Sequence, residues 1–317
     1  MEERFEELLA LALKNKGIDI HFNIIDDQVN IVIRGINGKF EVPSERRDIH
    51  LFNYLQYQAH LDITCLNKPQ SGAFNYYYDG EFYDFRFAVL TTPRLRNGVL
   101  RILNCHNGLS LDELTYQEDV HETFKQWLTM RSGLVIFTGL TGSGKTTTLY
   151  SLLKLARNKT VYSLEDPIEV VQENIVQLEI NEKIGFSYDE GIKQILRHNP
   201  DIIMIGEIRD EKTAKMTVRA ALTGCLVMTS LHAKSTVAAI NRLLELGVNK
   251  SDLAESVAGI VNQQLFKKYQ QDNFTCLYDI LHQEELHDYL IGGQALKTSM
   301  DELIRKGLDE HRIEVAV

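Results

Sequence analysis

A strand pattern followed at once by a glycine-rich loop decides the fold of this chain. Leu134-Val-Ile-Phe-Thr138 runs into Gly139-Leu-Thr-Gly-Ser-Gly-Lys-Thr-Thr-Thr148, and a helical pattern through Leu149–Leu155 follows. Glycines let a backbone fold around phosphate oxygens without a Cβ clash, and successive N–H groups at a helix N-terminus supply positive potential. The spacing is that of a P-loop, in the strand–loop–helix context that the motif requires.

The P-loop spacing identifies candidate ligands of a nucleoside triphosphate and its Mg²⁺ ion. In such a loop the lysine, here Lys145, reaches the β- and γ-phosphates, and the hydroxyl that follows it, that of Thr146, binds Mg²⁺. The other loop residues present backbone N–H groups to phosphate oxygens. The predicted nucleotide-binding residues are Thr141, Gly142, Ser143, Gly144, Lys145, Thr146 and Thr147.

Acidic residues follow two further strand patterns and are candidates for the chemistry of hydrolysis. The pattern Val161–Leu164 ends at Glu165, and the pattern Ile202–Ile205 ends at Gly206 and Glu207. Ligands of open α/β sheets bind at the carboxyl ends of parallel strands. Nucleotide hydrolysis needs a carboxylate near Mg²⁺ and a group that orients the attacking water. We therefore expect both glutamates to lie beside the phosphate site.

His232 follows another strand pattern, Leu226–Leu231, and two interpretations of it stay open. It could contact the γ-phosphate as a sensor, or it could be a hydrogen-bonded structural residue. The residues alone do not separate the two.

Strand and helix patterns divide the chain into two predicted domains. Residues 1–108 combine alternating strands with helical patterns over residues 4–14 and 47–61, which is typical of a mainly antiparallel α+β domain. Residues 109–317 alternate short buried-type strands with longer helices, as in a parallel α/β sheet. The segment Cys105–Gly108 is the predicted boundary.

Composition and charge limit the possible functions. The 317 residues include 34 Lys and Arg against 44 Asp and Glu, a net charge of −10 that repels phosphate polymers and anionic lipids. No apolar run approaches the ~20 residues of a membrane span, and the acidic N-terminus is unlike a secretory signal. We expect a soluble, cytoplasmic chain without direct nucleic-acid binding. The chain has four cysteines, and none of them are spaced closely enough to form a zinc-binding or redox motif. They are Cys65, Cys105, Cys225 and Cys276.

Taken together, these segments resemble the motifs of the ATPases of type II secretion, type IV pili and competence pseudopili. The likeness covers about residues 1–265. The four nucleotide motifs resembled are the Walker A loop at Gly139–Thr148, the aspartate box at Leu164–Glu169, the Walker B segment at Leu196–Asp210 and the histidine box at Thr223–His232. Upstream, the matching segments are Ile18–Phe22, Pro69–Gly72, Phe85–Phe87 and Val99–Leu103.

The resemblance implies a fold and a set of roles. It implies a hexameric ring whose subunits join a smaller α+β, PAS-like domain to a RecA-like P-loop ATPase domain with a parallel-rich sheet, using ATP and Mg²⁺. Glu165 is then similar to the catalytic glutamate that polarises water, and Glu207 to the Walker B acid that lies with Thr146 near the metal. His232 matches the second histidine of the box.

Two arginines of the first domain resemble the arginine fingers of the family. Arg86 and Arg101 are 15 residues apart, as in its two arginine strands, and a guanidinium suits the neutralisation of developing phosphate charge. The alternative is that both are ordinary surface cations of a sheet. Arg94 and Arg96 lie close enough in the sequence to substitute for either.

Departures from the family pattern refine the assignment. Cys225 stands where the family usually has the first histidine of its box, no four-cysteine zinc insert is present, and no accessory domain is expected before Ile18–Phe22. Such a chain is most similar to the competence pseudopilus ATPases of Gram-positive bacteria. In the tail, Leu265–Lys268 resembles a basic helix of the family and Cys276–Leu281 the strand after it.

The leading interpretation is a cytoplasmic motor ATPase, peripheral at the inner face of the membrane, that drives assembly of a competence pseudopilus for DNA uptake. Its expected partners are copies of itself, in a homohexamer, and a polytopic membrane platform protein through which it meets the membrane. A pilus retraction ATPase has the same chemistry and the opposite output. A RecA-like DNA translocase would need basic loops with stacking groups, and a scaffold would bind nucleotide without turnover.

Overall fold

The chain divides into two units, Met1–Asn107 and Gly108–Val317. The predicted boundary segment, Cys105–Gly108, lies outside the residues that the structure describes. The computed structural model describes residues 1–35, 38–65, 68–92, 94–103, 109–271, 273–292, 296 and 300–314, with only the backbone of Lys183.

In the described residues of the first unit, an antiparallel sheet packs with two helices. Its elements are α1 (Glu2–Lys14), β1 (Gly17–Ile25), β2 (Gln28–Gly35), β3 (Gly38–Val42), α2 (Asp48–Gln58), β4 (Gln70–Tyr78), β5 (Glu81–Thr91) and β6 (Leu95–Ile102). The six strands lie in the order β3-β2-β1-β6-β5-β4. The first unit therefore has the mainly antiparallel α+β architecture that the sequence predicts.

Alternation along the strands gives this sheet one buried face and one open face. Helix α1 buries Phe5 and Leu8 at helical spacing, and the ring of Phe5 packs edge-on against Phe85 of β5, with centroids 5.3 Å apart. Arg86 and Arg101 point to the other face, directly opposite each other across β5 and β6.

A larger, mostly parallel sheet forms the second unit. Its elements are α3 (Leu111–Leu114), α4 (Glu118–Thr129), β7 (Gly133–Thr138), α5 (Lys145–Leu155), β8 (Val161–Glu165), β9 (Val176–Glu179), α6 (Tyr188–Ile195), β10 (Ile202–Ile205), α7 (Glu211–Leu222), β11 (Leu226–Leu231), α8 (Thr236–Glu245), α9 (Lys250–Ser256), β12 (Val257–Lys267), β13 (Phe274–His282), α10 (Gln283–Leu290) and α11 (Met300–Asp309). Two 3₁₀ turns lie at Glu182–Ile184 and Leu196–His198.

The seven strands of this sheet lie in the order β13-β12-β7-β11-β10-β8-β9, and every neighbouring pair is parallel except β12 with β13. Hydrophobic clusters cover both faces, so all four residues of β10 and all six of β11 are buried. Burial on both faces explains why these strands are continuous apolar runs. The predicted α/β fold with a parallel-rich sheet is confirmed.

The predicted basic helix at Leu265–Lys268 is wrong. Strand β12 extends through Lys267, paired along its length with β13 and, over its first half, with β7. Over residues 265–267 the antiparallel pairing with β13 continues the strand, in place of the helix that the resemblance implied. The predicted strand at Cys276–Leu281 lies within β13.

None of the helices in the described ranges combines the length and the apolar character of a membrane span.

Candidate active site

The loop of residues 139–144 connects β7 to α5 and has the backbone of a phosphate cradle. Gly142 and Gly144 have φ angles of +81° and +85°, in the left-handed region that costs an L-residue about 1–2 kcal/mol. Helix α5 begins at Lys145, and its N-cap, Gly144, provides no side-chain cap. The N–H groups of the first helical turn therefore face outward, where an anion can accept from them.

All seven predicted nucleotide-binding residues lie in this loop and in the first turn of α5. A Cβ built at Gly142 meets no atom within 4 Å, so the loop is open on that side. Thr141 and Gly142 are exposed, Ser143 and Lys145 are buried, and Gly144 with Thr146 and Thr147 is intermediate.

A buried side chain of strand β12 contacts the loop. The Nε2 of Gln263 donates to the carbonyl oxygen of Ser143 at 2.6 Å, and a Cβ on Gly144 would lie 3.1 Å from the same nitrogen. Gln263 is fully buried. The contact joins residues 120 positions apart, so no local pattern in the sequence marks it.

The side chain of Lys145 folds back over the loop. Its Nζ donates to the carbonyl oxygens of Gly139 and Leu140, at 3.0 Å each. Burial lowers the pKa of Lys145, while the negative charges of Glu207 and Glu169 act in the opposite direction. Both carboxylates therefore lie close enough to act on the lysine, and Glu169 is a residue that the sequence analysis did not select.

Glu207, after β10, is brought together with His232, after β11. The Oε2 of Glu207 lies 3.1 Å from the Nε2 of His232, and its Oε1 pairs with Arg209. Arg209 also pairs with Asp166, Nη1 to Oδ2, at 2.9 Å. These contacts connect the loops that follow three neighbouring strands, β8, β10 and β11, at their carboxyl ends.

Glu165, the last residue of β8, is buried, with only 3% of its surface exposed. Its carboxylate accepts three hydrogen bonds. Oε1 accepts hydrogen bonds from Ser163 Oγ at 2.5 Å and from Gln177 Nε2 at 3.0 Å, and Oε2 accepts one from the hydroxyl of Tyr150. Sequence reasoning missed all three donors. Tyr150 lies among the leucines of α5, and Gln177 is placed by the pairing of β8 with β9.

The two predicted arginine fingers lie side by side on the open face of the first unit. Arg101 makes a two-pronged contact with Asp19, Nε to Oδ1 at 2.7 Å and Nη2 to Oδ2 at 3.0 Å. Arg86 Nε donates to Ser71 Oγ at 3.1 Å. Of the two alternatives, Arg96 lies within β6 and Arg94 directly before it.

Cys225, at the position of the missing histidine, is a packed core residue. Its side chain is buried, and Sγ donates to the carbonyl oxygen of Ala220 at 3.3 Å. Burial raises the pKa of the thiol to about 11. The side chain is therefore a neutral thiol at physiological pH and cannot replace a charged imidazole.

A phosphate-binding loop between a strand and a helix, with carboxylates at the carboxyl ends of neighbouring parallel strands, defines a P-loop nucleotide hydrolase. The profile of the family described as "Type II/IV secretion system protein" matches residues 1–298. The chain belongs to this family of ATP-hydrolysing enzymes, as its motifs predicted.

Proteins of competence and of secretion are among its relatives. The competence protein ComGA of Bacillus subtilis is 36% identical over 270 residues, which cover 84% of this chain and 76% of the relative. ComGA of Halalkalibacterium halodurans is 37% identical, over 83% of this chain and 77% of the relative. The type II secretion system protein E of Pseudomonas aeruginosa is 34% identical, over 82% of this chain and 53% of its own length.

Two solved structures show the same fold. The ATPase DotB of Legionella pneumophila superposes with a TM-score of 0.78 at 20% identity, covering 98% of this chain and 92% of that one. The pilus retraction motor PilT, with bound ADP, gives a TM-score of 0.71 at 22% identity, covering 98% and 94%. At these identities the likeness concerns the fold alone.

Proposed function

We propose that this chain is an ATP-driven motor that assembles a competence pseudopilus for DNA uptake. The observation that carries the proposal is the 36% and 37% identity, over 270 residues each, to two competence proteins. The cradle after β7 and the acids at the carboxyl ends of β8 and β10 fit ATP and the chemistry of its hydrolysis. Retraction is the alternative direction for the same chemistry, and the identity to competence proteins favours assembly.

Residues of the second unit would bind the phosphates and Mg²⁺. The N–H groups of residues 141–147 and Lys145 Nζ bind the phosphates, and Lys145 leaves the carbonyls of Gly139 and Leu140 to do so. The Thr146 hydroxyl and Glu207 would hold Mg²⁺, an ion that proteins bind through one or two side chains together with substrate phosphates. Bound there, Mg²⁺ neutralises charge that develops on the phosphates.

Glu165 would orient and polarise the attacking water. His232, whose Nε2 lies 3.1 Å from Oε2 of Glu207, would act as the sensor of the γ-phosphate. Among the described residues, no three His, Cys, Asp or Glu side chains form a separate metal-binding group.

The first unit would contribute cations. We assign residues 1–108 to a PAS-like domain and residues 109–317 to a RecA-like ATPase domain. Arg86 and Arg101 would exchange their present partners, Ser71 and Asp19, for phosphate oxygens, because a guanidinium fits a phosphate in the same two-pronged way as a carboxylate.

The motor would act as a homohexamer in the cytoplasm, at the inner face of the membrane, and would meet the membrane through a polytopic platform protein. DNA uptake would be an indirect output, without direct contact between the motor and DNA. Mass photometry with and without a non-hydrolysable ATP analogue tests the ring. Particles of six chains are expected with nucleotide, and monomers under every condition would contradict the hexamer.

Turnover tests the site. The purified chain should hydrolyse ATP only with Mg²⁺, and Lys145→Ala should abolish both ATP binding and turnover. Lys125→Ala, at an exposed lysine of α4, is the matched control and should retain the wild-type rate. Wild-type turnover in Lys145→Ala would remove the site assignment.

A deletion strain separates assembly from retraction. Cells without the chain should shed no pseudopili on shearing and should not take up DNA, and the wild-type gene should restore both. An excess of surface pseudopili in the deletion strain would instead identify a retraction motor.

A further inference from the structure

The carboxylate of Glu165 is enclosed by donors from three different elements. Tyr150 comes from α5, Ser163 from β8 itself and Gln177 from β9. An ionised carboxylate offers about four acceptor directions, so three donors leave one for a further partner. These three hydrogen bonds fix the orientation of the glutamate side chain. They leave one direction in which its carboxylate can accept a hydrogen bond from a water.

Tyr150 connects this carboxylate to the phosphate cradle. It lies five residues after Lys145 in the same helix, a rise of about 7.5 Å at 1.5 Å per residue. The tyrosine is buried, and burial, with the adjacent Glu165, raises the pKa of its hydroxyl far above the usual value. The hydroxyl therefore stays protonated and donates. Helix α5 thus carries the cradle at its start and the donor to Glu165 near its middle.

Gln177 has its amide orientation fixed from the other side. Its Oε1 accepts from the backbone N–H of Gln172 at 2.6 Å. Its Nε2 donates to the carbonyl oxygen of Val170 at 2.9 Å and to Glu165 at 3.0 Å. Because a backbone N–H can only donate, the amide oxygen must face Gln172 and the NH₂ group must face Glu165.

We propose that Tyr150 and Gln177 are positioning residues of Glu165. Through its hydrogen bond, Tyr150 couples the position of α5 at the phosphates to the orientation of this carboxylate. The inference rests on the proposed role of Glu165 in polarising water. Neither residue is among those assigned to contact the nucleotide. Each acts by holding the carboxylate in the orientation from which it can accept a hydrogen bond from the attacking water.

Removal of the Tyr150 hydroxyl tests the proposal. Tyr150→Phe keeps the buried ring and deletes one donor, so the protein should fold and bind ATP within about 2-fold of wild type. Its kcat should fall about 10- to 100-fold, the loss typical of a slightly misplaced reacting group, with little change in KM. Tyr162→Phe is the matched control, since Tyr162 lies on β8 with its ring 5.8 Å from that of His198, and it should keep the wild-type kcat.

A double-mutant cycle with Glu165→Gln separates positioning from a general structural role. If Tyr150 acts through Glu165, then Tyr150→Phe should not slow the Glu165→Gln variant any further. An equal fold loss in both backgrounds, or a wild-type kcat in Tyr150→Phe alone, would overturn the proposal. Gln177→Met should show the same kcat loss and the same lack of additivity, and it carries the test if Tyr150→Phe does not fold.

The proposed function fails in a different way from this inference. Wild-type turnover in Glu165→Gln would overturn the role of Glu165, whatever Tyr150→Phe does. A slow Glu165→Gln variant together with an unimpaired Tyr150→Phe variant would overturn the positioning role alone.

Discussion

Three glycines of the second unit have nearly the same positive φ angle but different surroundings. Gly142, Gly144 and Gly185 have φ angles of +81°, +85° and +82°. A Cβ added at Gly142 or Gly185 meets no atom within 4 Å, whereas one at Gly144 would lie 3.1 Å from Gln263 Nε2. Replacing each by alanine therefore separates the cost of the backbone from the cost of contact.

The expected losses of stability follow from these distances. Gly142→Ala and Gly185→Ala carry only the left-handed backbone penalty of about 1–2 kcal/mol. Gly144→Ala also pushes against the fully buried Gln263, and loss of that side chain's hydrogen bond to Ser143 adds about 1–3 kcal/mol. The total for Gly144→Ala is about 2–5 kcal/mol, with an expected value of about 3 kcal/mol within that range.

Thermal unfolding and ATP binding measure the two effects. At ~2–4 °C for each kcal/mol in a unit of this size, Gly185→Ala should lower Tm by about 4 °C and Gly144→Ala by about 9 °C. Gly142→Ala should match Gly185→Ala in Tm but bind ATP at least about 10-fold more weakly, because its Cβ enters the phosphate cradle. Gly185→Ala should bind normally. Wild-type ATP affinity in Gly142→Ala, or equal Tm values for Gly144→Ala and Gly185→Ala, would refute this reasoning.

Three further predictions concern charged and packed side chains. Arg209→Ala should slow ATP turnover by releasing Glu207 and Asp166, while the free energy of unfolding changes by less than about 1 kcal/mol because the pairs are partly exposed; a Tm loss without a rate loss would contradict this. Cys225→His, which restores the residue usual in the family, should destabilise the core by about 1–3 kcal/mol through overpacking without raising kcat, and a faster enzyme would disprove it. The pKa of Lys145 is lowered by burial, so its ammonium form is lost sooner as pH rises. Affinity for a fluorescent ATP analogue should therefore fall between neutral pH and about pH 10, and an affinity that does not change with pH would refute the argument.

The parts of the fold that the sequence predicts are those with local signals. Strand β10 is an unbroken apolar run because both of its faces are buried, and the P-loop is marked by glycines at positions of positive φ. Glu207 and His232 are predictable from the sequence because each follows a strand, and parallel pairing brings strand ends to one edge. Their contact at 3.1 Å follows from that topology.

The features that the sequence does not predict depend on partners far along the chain. Strand β12 carries Asn262 and Gln263 in a buried position, so it lacks the apolar run or alternation that marks other strands. Two of the donors to Glu165, Tyr150 and Gln177, become its neighbours only when α5 and β9 pack beside β8. Gln263 likewise reaches the phosphate loop only after β12 pairs with β7.

A crystal structure with Mg²⁺ and a non-hydrolysable ATP analogue tests the central claim most directly. We expect the β- and γ-phosphates on the N–H groups of residues 141–147, with Lys145 Nζ moved from the carbonyls of Gly139 and Leu140 to a phosphate oxygen. Thr146 and Glu207 should face the metal, and Glu165 should lie within reach of the γ-phosphate through one water. A nucleotide bound elsewhere, or a cradle filled while both glutamates point away from the γ-phosphate, would contradict the account.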